Sequence, residues 1–244
     1  MIGAGSGGVP PGVRSIVTPS LVTSAEPSPA APILAPVSQL PVDLPPDLAA
    51  RLRSAFDREA KVAHALEALG PVVGRDVLVI DGEGSPVTES IASFGARVIG
   101  GSLASPLRLS AADASVDVVV GLWSAFRGPS SEDQAEVDRV LRPGGRQLVV
   151  HDYGRDDVSR LLDADRPEYG AWSQRTGPFL RGGFRVRVLH CWWTFDSLED
   201  AVDFLVAGFR ERGAAVAATL RRPRLAYNVA VYHRSRAEVG ASAA

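Results

Sequence analysis

The chain has 244 residues, a formal net charge of −2 and 45% hydrophobic residues. That length suits one α/β domain with a tail or two very small domains, and the near-neutral balance gives no electrostatic pull toward nucleic acid or an acidic membrane surface. The single Cys191 excludes an internal disulfide and a cysteine-based zinc site, and His64, His151, His190 and His233 show no metal-ligand spacing.

Residues 1–46 hold ten of the 18 prolines, with Gly, Ser and Ala filling most of the rest. Proline removes backbone donors, and the segment has few aromatics to bury, so it reads as a disordered tail. From Asp47 the pattern changes. Leu48, Leu52, Phe56, Ala63 and Leu66 fall at helical spacing until Gly70-Pro71 stops the run. Val77 to Ile80 is a short apolar run of the fully buried strand type. In the Asp81-Gly82-Glu83-Gly84-Ser85-Pro86 loop that follows, Ser85 can cap a helix and Pro86 suits its first turn. Val87, Ile91 and Phe94 form that helix's stripe, and Gly95 ends it. Arg97 to Gly100 and Val116 to Val120 are further strands. Ser131 to Leu141 is a helix stopped by Pro143-Gly144-Gly145, and Gln147 to Val150 a fourth strand. Strands alternating with helices predict a doubly wound, mostly parallel sheet.

The last third reads differently. Phe184, Val186 and Val188 alternate with Arg185 and Arg187, a half-exposed strand reaching toward Trp193. Asp196 or Ser197 caps a helix with the stripe Leu198, Val202, Leu205, Val206 and Phe209, and Gly213 ends it. Tyr227, Val229 and Val231 alternate in a closing strand, so an antiparallel pair would complete the sheet. Residues 236–244 read as a flexible C-terminus. No apolar run approaches the roughly 18–20 residues that span a bilayer, and no basic segment precedes an apolar one at the N-terminus, so a cytoplasmic protein is expected.

Three segments in order resemble class I S-adenosylmethionine (SAM) methyltransferases, of the type 11-like kind. Leu141-Arg142-Pro143-Gly144-Gly145 before a buried strand looks like the turn before their fifth strand. Asp113-Ala114-Ser115 followed by Val116 to Val120 is similar to the approach to their fourth strand. Val77-Leu78 through Gly95-Ala96-Arg97-Val98 matches their opening strand–loop–helix–strand unit. The resemblance covers roughly residues 47–235 and implies a Rossmann-like α/β fold with SAM as cofactor and no metal.

The resemblance also implies where the cofactor would lie: on a glycine loop after strand one, on an acid ending strand two that takes the ribose hydroxyls, and on an acid after strand three that meets adenine. This sequence departs at each. Aligned without gaps, the loop glycines fall on Asp81, Glu83 and Ser85. With a one-residue gap they fall on Gly82, Gly84 and Pro86. The strand-two acid falls on Ser102, which cannot give a carboxylate's two-oxygen grip. Only 14 residues separate Gly101 from Val116, so strand three and its helix are expected to be shortened or missing, with at most an extended piece at Leu107-Arg108-Leu109. Pro106 further disfavours a helix there. Asp113 is expected to form a turn.

The cofactor-binding candidates are thus Asp81, Gly82, Glu83, Gly84, Ser85, Ser102 and Trp123, where Trp123 and Phe126 would either stack on an acceptor or adenine or pack helix against sheet. His151 and Tyr153 are the candidates for acid–base help. Asp152, Asp156 and Asp157 with Arg155 read as a solvated charged turn, and Cys191-Trp192-Trp193 as packing. These departures point to a methyltransferase-like protein with weak, reshaped or lost SAM binding that acts as a binding or partner module. The alternative is an active SAM-dependent methyltransferase with a small-molecule acceptor. A dinucleotide oxidoreductase lacks both G-x-G-x-x-G and the strand-two acid. A strand-two edge uncovered by the deletion would invite a protein partner or a second copy. Neither a nucleic-acid nor a membrane partner is expected.

Overall fold

The computed structural model describes residues 40–102, 107–123, 126, 130–162 and 167–237. The expectations for residues 1–39, for Pro106 and for residues 238–244 lie outside them. The elements are α1 (Pro46–Ala55), α2 (Lys61–Leu69), β1 (Asp76–Ile80), α3 (Pro86–Ser93), β2 (Arg97–Gly101), β3 (Val116–Leu122), α4 (Ser131–Val140), β4 (Leu141–Asp152), α5 (Asp157–Leu161), α6 (Pro167–Trp172), α7 (Pro178–Arg181), β5 (Arg185–Thr194), α8 (Leu198–Ala217) and β6 (Arg224–Ser235).

The six strands form one sheet in the order β2-β1-β3-β4-β6-β5. β2, β1, β3 and β4 run parallel, and β6 lies antiparallel between β4 and β5. This is the expected Rossmann-like α/β sheet with an antiparallel C-terminal strand. Side chains alternate across each strand, so the apolar runs feed two cores. One face buries Val77, Val79, Val118, Val120, Leu148 and Val150 with Leu52, Leu66, Ile91 and Phe204 from the helices. The other buries Leu78, Ile80, Val119 and Val149 with Val137, Val140, Trp172 and Phe179. Packing extends N-terminally to Leu40 and Val42, both buried in the first core.

Between β2 and β3 no further strand forms among the described residues. Leu107 and Leu109 are buried, and α4 holds this stretch by side chains. Glu136 accepts from Leu109 N at 2.8 Å, and Arg139 donates to Leu109 O at 2.9 Å and Ala111 O at 3.1 Å. Arg139 also pairs with Asp113 at 2.6 Å. The crossover is therefore short, and two α4 side chains do the work of missing backbone pairing.

Two expectations change. The run of helical spacing from Leu48 to Leu66 breaks into α1 and α2 at left-handed Asp57 (φ 42°) and Ala60 (φ 51°). Asp57 caps the second helix, its carboxylate accepting from Val62 N at 2.7 Å, while Phe56 bridges to Trp193 of β5. The α8 stripe is also displaced. Ala201, Phe204, Leu205, Gly213 and Val216 are the buried residues, while Leu198 and Val206 are 42% and 45% exposed. Phe204 decides the face, packing its ring against Trp193 and Phe195. Gly213 does not end the helix. It follows non-helical Arg210 (φ 51°), and a Cβ on Gly213 would sit 1.9 Å from Leu205 O.

Candidate functional site

The strand order reverses at β1, which leads to β2 on one side and β3 on the other. In open α/β sheets the ligand crevice lies beyond the carboxyl ends of the strands at such a switch point. Here those ends carry the Asp81 loop and Trp123.

Asp81 follows β1 with φ 53°, is buried, and its N–H donates to Gly101 O at 2.9 Å. A left-handed backbone is where glycine is expected, and aspartate is among the few residues that tolerate it. Gly82 is buried, and a Cβ there would lie 2.3 Å from Val79 Cγ1, 2.8 Å from Thr88 Oγ1 and 3.0 Å from Leu122 Cδ1. Its carbonyl accepts from Thr88 Oγ1 at 2.7 Å and from Ser85 N at 3.0 Å. The room left by the absent side chain is filled by the chain itself. Glu83 and Gly84 are exposed, with Gly84 at φ 70°. Ser85 is fully buried and caps α3, accepting from Val87 N at 3.2 Å, with Pro86 in the first turn as expected. Ser102 is exposed, one residue past the Ile80–Gly101 register pair.

Trp123 leaves β3 with φ 36° and is 4% exposed. That backbone turn carries its ring into the same core as Leu122. The indole stands edge-on to Phe56, centroids 5.4 Å apart, and its Nε1 donates to Tyr227 Oη at 2.8 Å. Tyr227 is 1% exposed, packs against Phe56 at 5.9 Å, and donates its hydroxyl to Asp152 at the end of β4. Phe56 and Tyr227 were missed in the sequence because nothing local marks them. One sits in a helical run and the other in an alternating strand.

The structure does not bring the remaining candidates to this cluster. His151 is 2% exposed on the other face of the sheet, 4.6 Å from the Trp172 ring and 5.9 Å from Phe179, with Nε2 3.4 Å from Phe126 O. Tyr153 is half-buried against that same second core. Phe126 belongs there too, so the expected aromatic pair with Trp123 is split between the faces.

The charged turn after β4 is solvated only at Arg155, which corrects that expectation for its aspartates. Asp156 is buried, forms a capping box with Ser159, and accepts from Asn228 N at 2.6 Å. Burial raises its pKa above the ordinary carboxylate value. Asp157 accepts from Ala226 N at 2.9 Å. These contacts anchor β6. Cys191 and Trp193 are packed inside as expected, and burial pushes the Cys191 thiol well above its usual range. Trp192 instead lies under the Arg224 guanidinium at 4.3 Å. Among the described residues no group of three or more His, Cys, Asp or Glu is placed to hold a metal ion, and no helix is long and apolar enough to cross a membrane.

No family model matches the sequence, and no curated protein sequence matches it. Solved structures do resemble it. A protein of Anaeromyxobacter dehalogenans given as a candidate type II methyltransferase is 18% identical, covering 73% of this chain and 97% of its own, with a TM-score of 0.48. The YcgJ protein of Bacillus subtilis is 15% identical over 72% of this chain and 98% of its own, with a TM-score of 0.45. A SAM-dependent methyltransferase of Aquifex aeolicus is 15% identical over 75% and 92%, with a TM-score of 0.43. Likenesses of this degree assign neither a cofactor nor a reaction.

Proposed function

We propose that the chain is a methyltransferase-like protein with a reshaped cofactor site, in which SAM binding is weak or lost, and that it works as a binding module for a protein partner. The observation that carries this reading is the contact of Gly82 with Val79, Thr88 and Leu122 at the switch point. A cofactor needs bare backbone at this turn, and the side of Gly82 that lacks a side chain faces Val79, Thr88 and Leu122 of this chain. Phe56, Trp123 and Tyr227 fill the same edge, whereas small-molecule sites are concave. The Asp81 and Glu83 carboxylates add repulsion toward a ligand carboxylate, and Ser102 supplies no charged acceptor for a ribose diol. The described residues therefore do not fit SAM.

Titration calorimetry of the full chain with SAM and S-adenosylhomocysteine tests the reading. The expected result is no saturable heat up to about 1 mM ligand, with circular dichroism showing a folded protein. Micromolar binding that weakens in Asp81→Ala or Ser102→Ala would support a SAM-dependent methyltransferase with a small-molecule acceptor instead.

A further inference from the structure

The opposite edge of the sheet, at the amino ends of the parallel strands, holds a cleft of about 350 Å3. Arg75, Asp117, Arg142 and Arg146 line it, together with the Pro143-Gly144-Gly145 turn. The cleft exists because β4 bulges from β3. Val116 pairs with Leu141 and Val118 with Arg146, so residues 142–145 loop out opposite Asp117 alone. Gly145 fixes that loop, since a Cβ there would meet Arg142 O at 2.8 Å and Asp117 O at 2.9 Å.

The charges on the walls do not cancel. Arg142 is neutralised, with Nη1 3.0 Å from Asp76 and 2.8 Å from Asp117. Asp76 is also held by Arg97 at 2.7 Å, and Asp117 accepts from Asp76 N at 2.9 Å. Arg75 reaches Asp117 only at 3.8 Å and is 57% exposed. Arg146 donates to the uncharged hydroxyl of Ser235. Beside the cleft, Arg185 pairs in register with His233, and Arg187 lies two residues further along β5. Burial and then the positive charges of Arg185, Arg146 and Arg187 hold the His233 pKa below its ordinary value. The carbonyls ending α4, which would repel an anion, are already occupied. Arg139 O accepts from Ala114 N, Val140 O from Ser115 N, and Leu141 O from Arg236 Nη1.

We propose that this cleft binds a small, multiply charged anion of the phosphate type, gripped by Arg75 and Arg146. A guanidinium presents parallel donors that match phosphate oxygens, and a groove with an excess of positive charge concentrates counter-charge even on a chain with a net charge of −2. The site lies away from the plugged switch point, so it stands whether or not SAM binds there.

Titration calorimetry of the full chain with inorganic pyrophosphate at low ionic strength tests the site, with NMR of the His233 imidazole as a second readout. Saturable binding and an upward move of the His233 titration midpoint are expected, because the bound anion offsets the nearby arginines. The double variant Arg75→Ala/Arg146→Ala is expected to weaken binding about tenfold or more, and Arg221→Ala, on a distant surface, to leave it unchanged. If the double variant does not fold, Arg75→Gln and Arg146→Gln separately are each expected to weaken binding about threefold or more. No saturable heat at about 10 mM pyrophosphate, undiminished binding in the arginine variants, or an equal loss in Arg221→Ala would overturn the proposal.

Discussion

The indole nitrogen of Trp123 donates to the hydroxyl of Tyr227 at 2.8 Å, and that hydroxyl donates onward to Asp152. This short chain ties the carboxyl ends of β3 and β4 to the antiparallel strand β6. It satisfies the buried polar tips of two aromatic rings whose bodies fill the edge. The same contacts bury both rings at the carboxyl edge of the sheet.

Tyr227→Phe removes both hydrogen bonds while keeping the ring. It is expected to cost about 1–3 kcal/mol, read as a lower urea midpoint at unchanged slope. Trp123→Ala, which also empties a core site, is expected to cost about 3–5 kcal/mol. Equal stability of Tyr227→Phe and the parent chain would deny the hydrogen bonds a structural role.

Gly82→Ala places a methyl 2.3 Å from Val79 Cγ1 and 3.0 Å from Leu122 Cδ1. Overpacking of this kind costs about 1–3 kcal/mol, and urea denaturation should show it. A neutral substitution would mean that the loop has slack, and with it room for a ligand.

Glu136 accepts from Leu109 N and pairs with Arg139 at 2.8 Å, and the Arg139 guanidinium holds its pKa down to about 2 from an ordinary 4.5. A carboxylate with a depressed folded pKa stabilises the fold above its unfolded pKa and loses that contribution as pH falls through the folded one. Acid denaturation should therefore steepen between about pH 4.5 and 2, and Glu136→Gln should flatten that part of the curve while lowering stability at neutral pH. Parallel pH curves for the two proteins would remove Glu136 from this role.

Cys191 is 1% exposed, and burial raises its pKa. A thiol reagent at pH 8 is expected to leave it unmodified in the native chain and to titrate one thiol after denaturation. Rapid native labelling would place it at an accessible surface instead.

Local chemistry made much of the frame legible. The run Val77 to Ile80 and the Ser85-Pro86 helix start each carry their signal within a few residues, and β1 and α3 follow them, whereas α4 ends at Val140 and β4 already begins at Leu141, so the Pro143-Gly144-Gly145 turn lies inside the strand. The features that pack this edge are tertiary. Phe56 reaches it through an extended backbone bridged to Trp193, and Trp123 turns inward on its own positive φ. Apolar residues lie around much of α8, so two stripes can be drawn, and contact with Trp193 and Phe195 selects between them. The separation of His151 from Trp123 follows from strand parity together with that turn, which spacing in sequence does not reveal.

The indole N–H resonance of Trp123, assigned by its loss in Trp123→Phe, reports on the switch point that the proposed function reads as filled. As the full chain is titrated with S-adenosylhomocysteine to about 1 mM, the resonance is predicted to stay in place. A saturable shift at micromolar ligand would contradict the account, because the edge would then open to the cofactor.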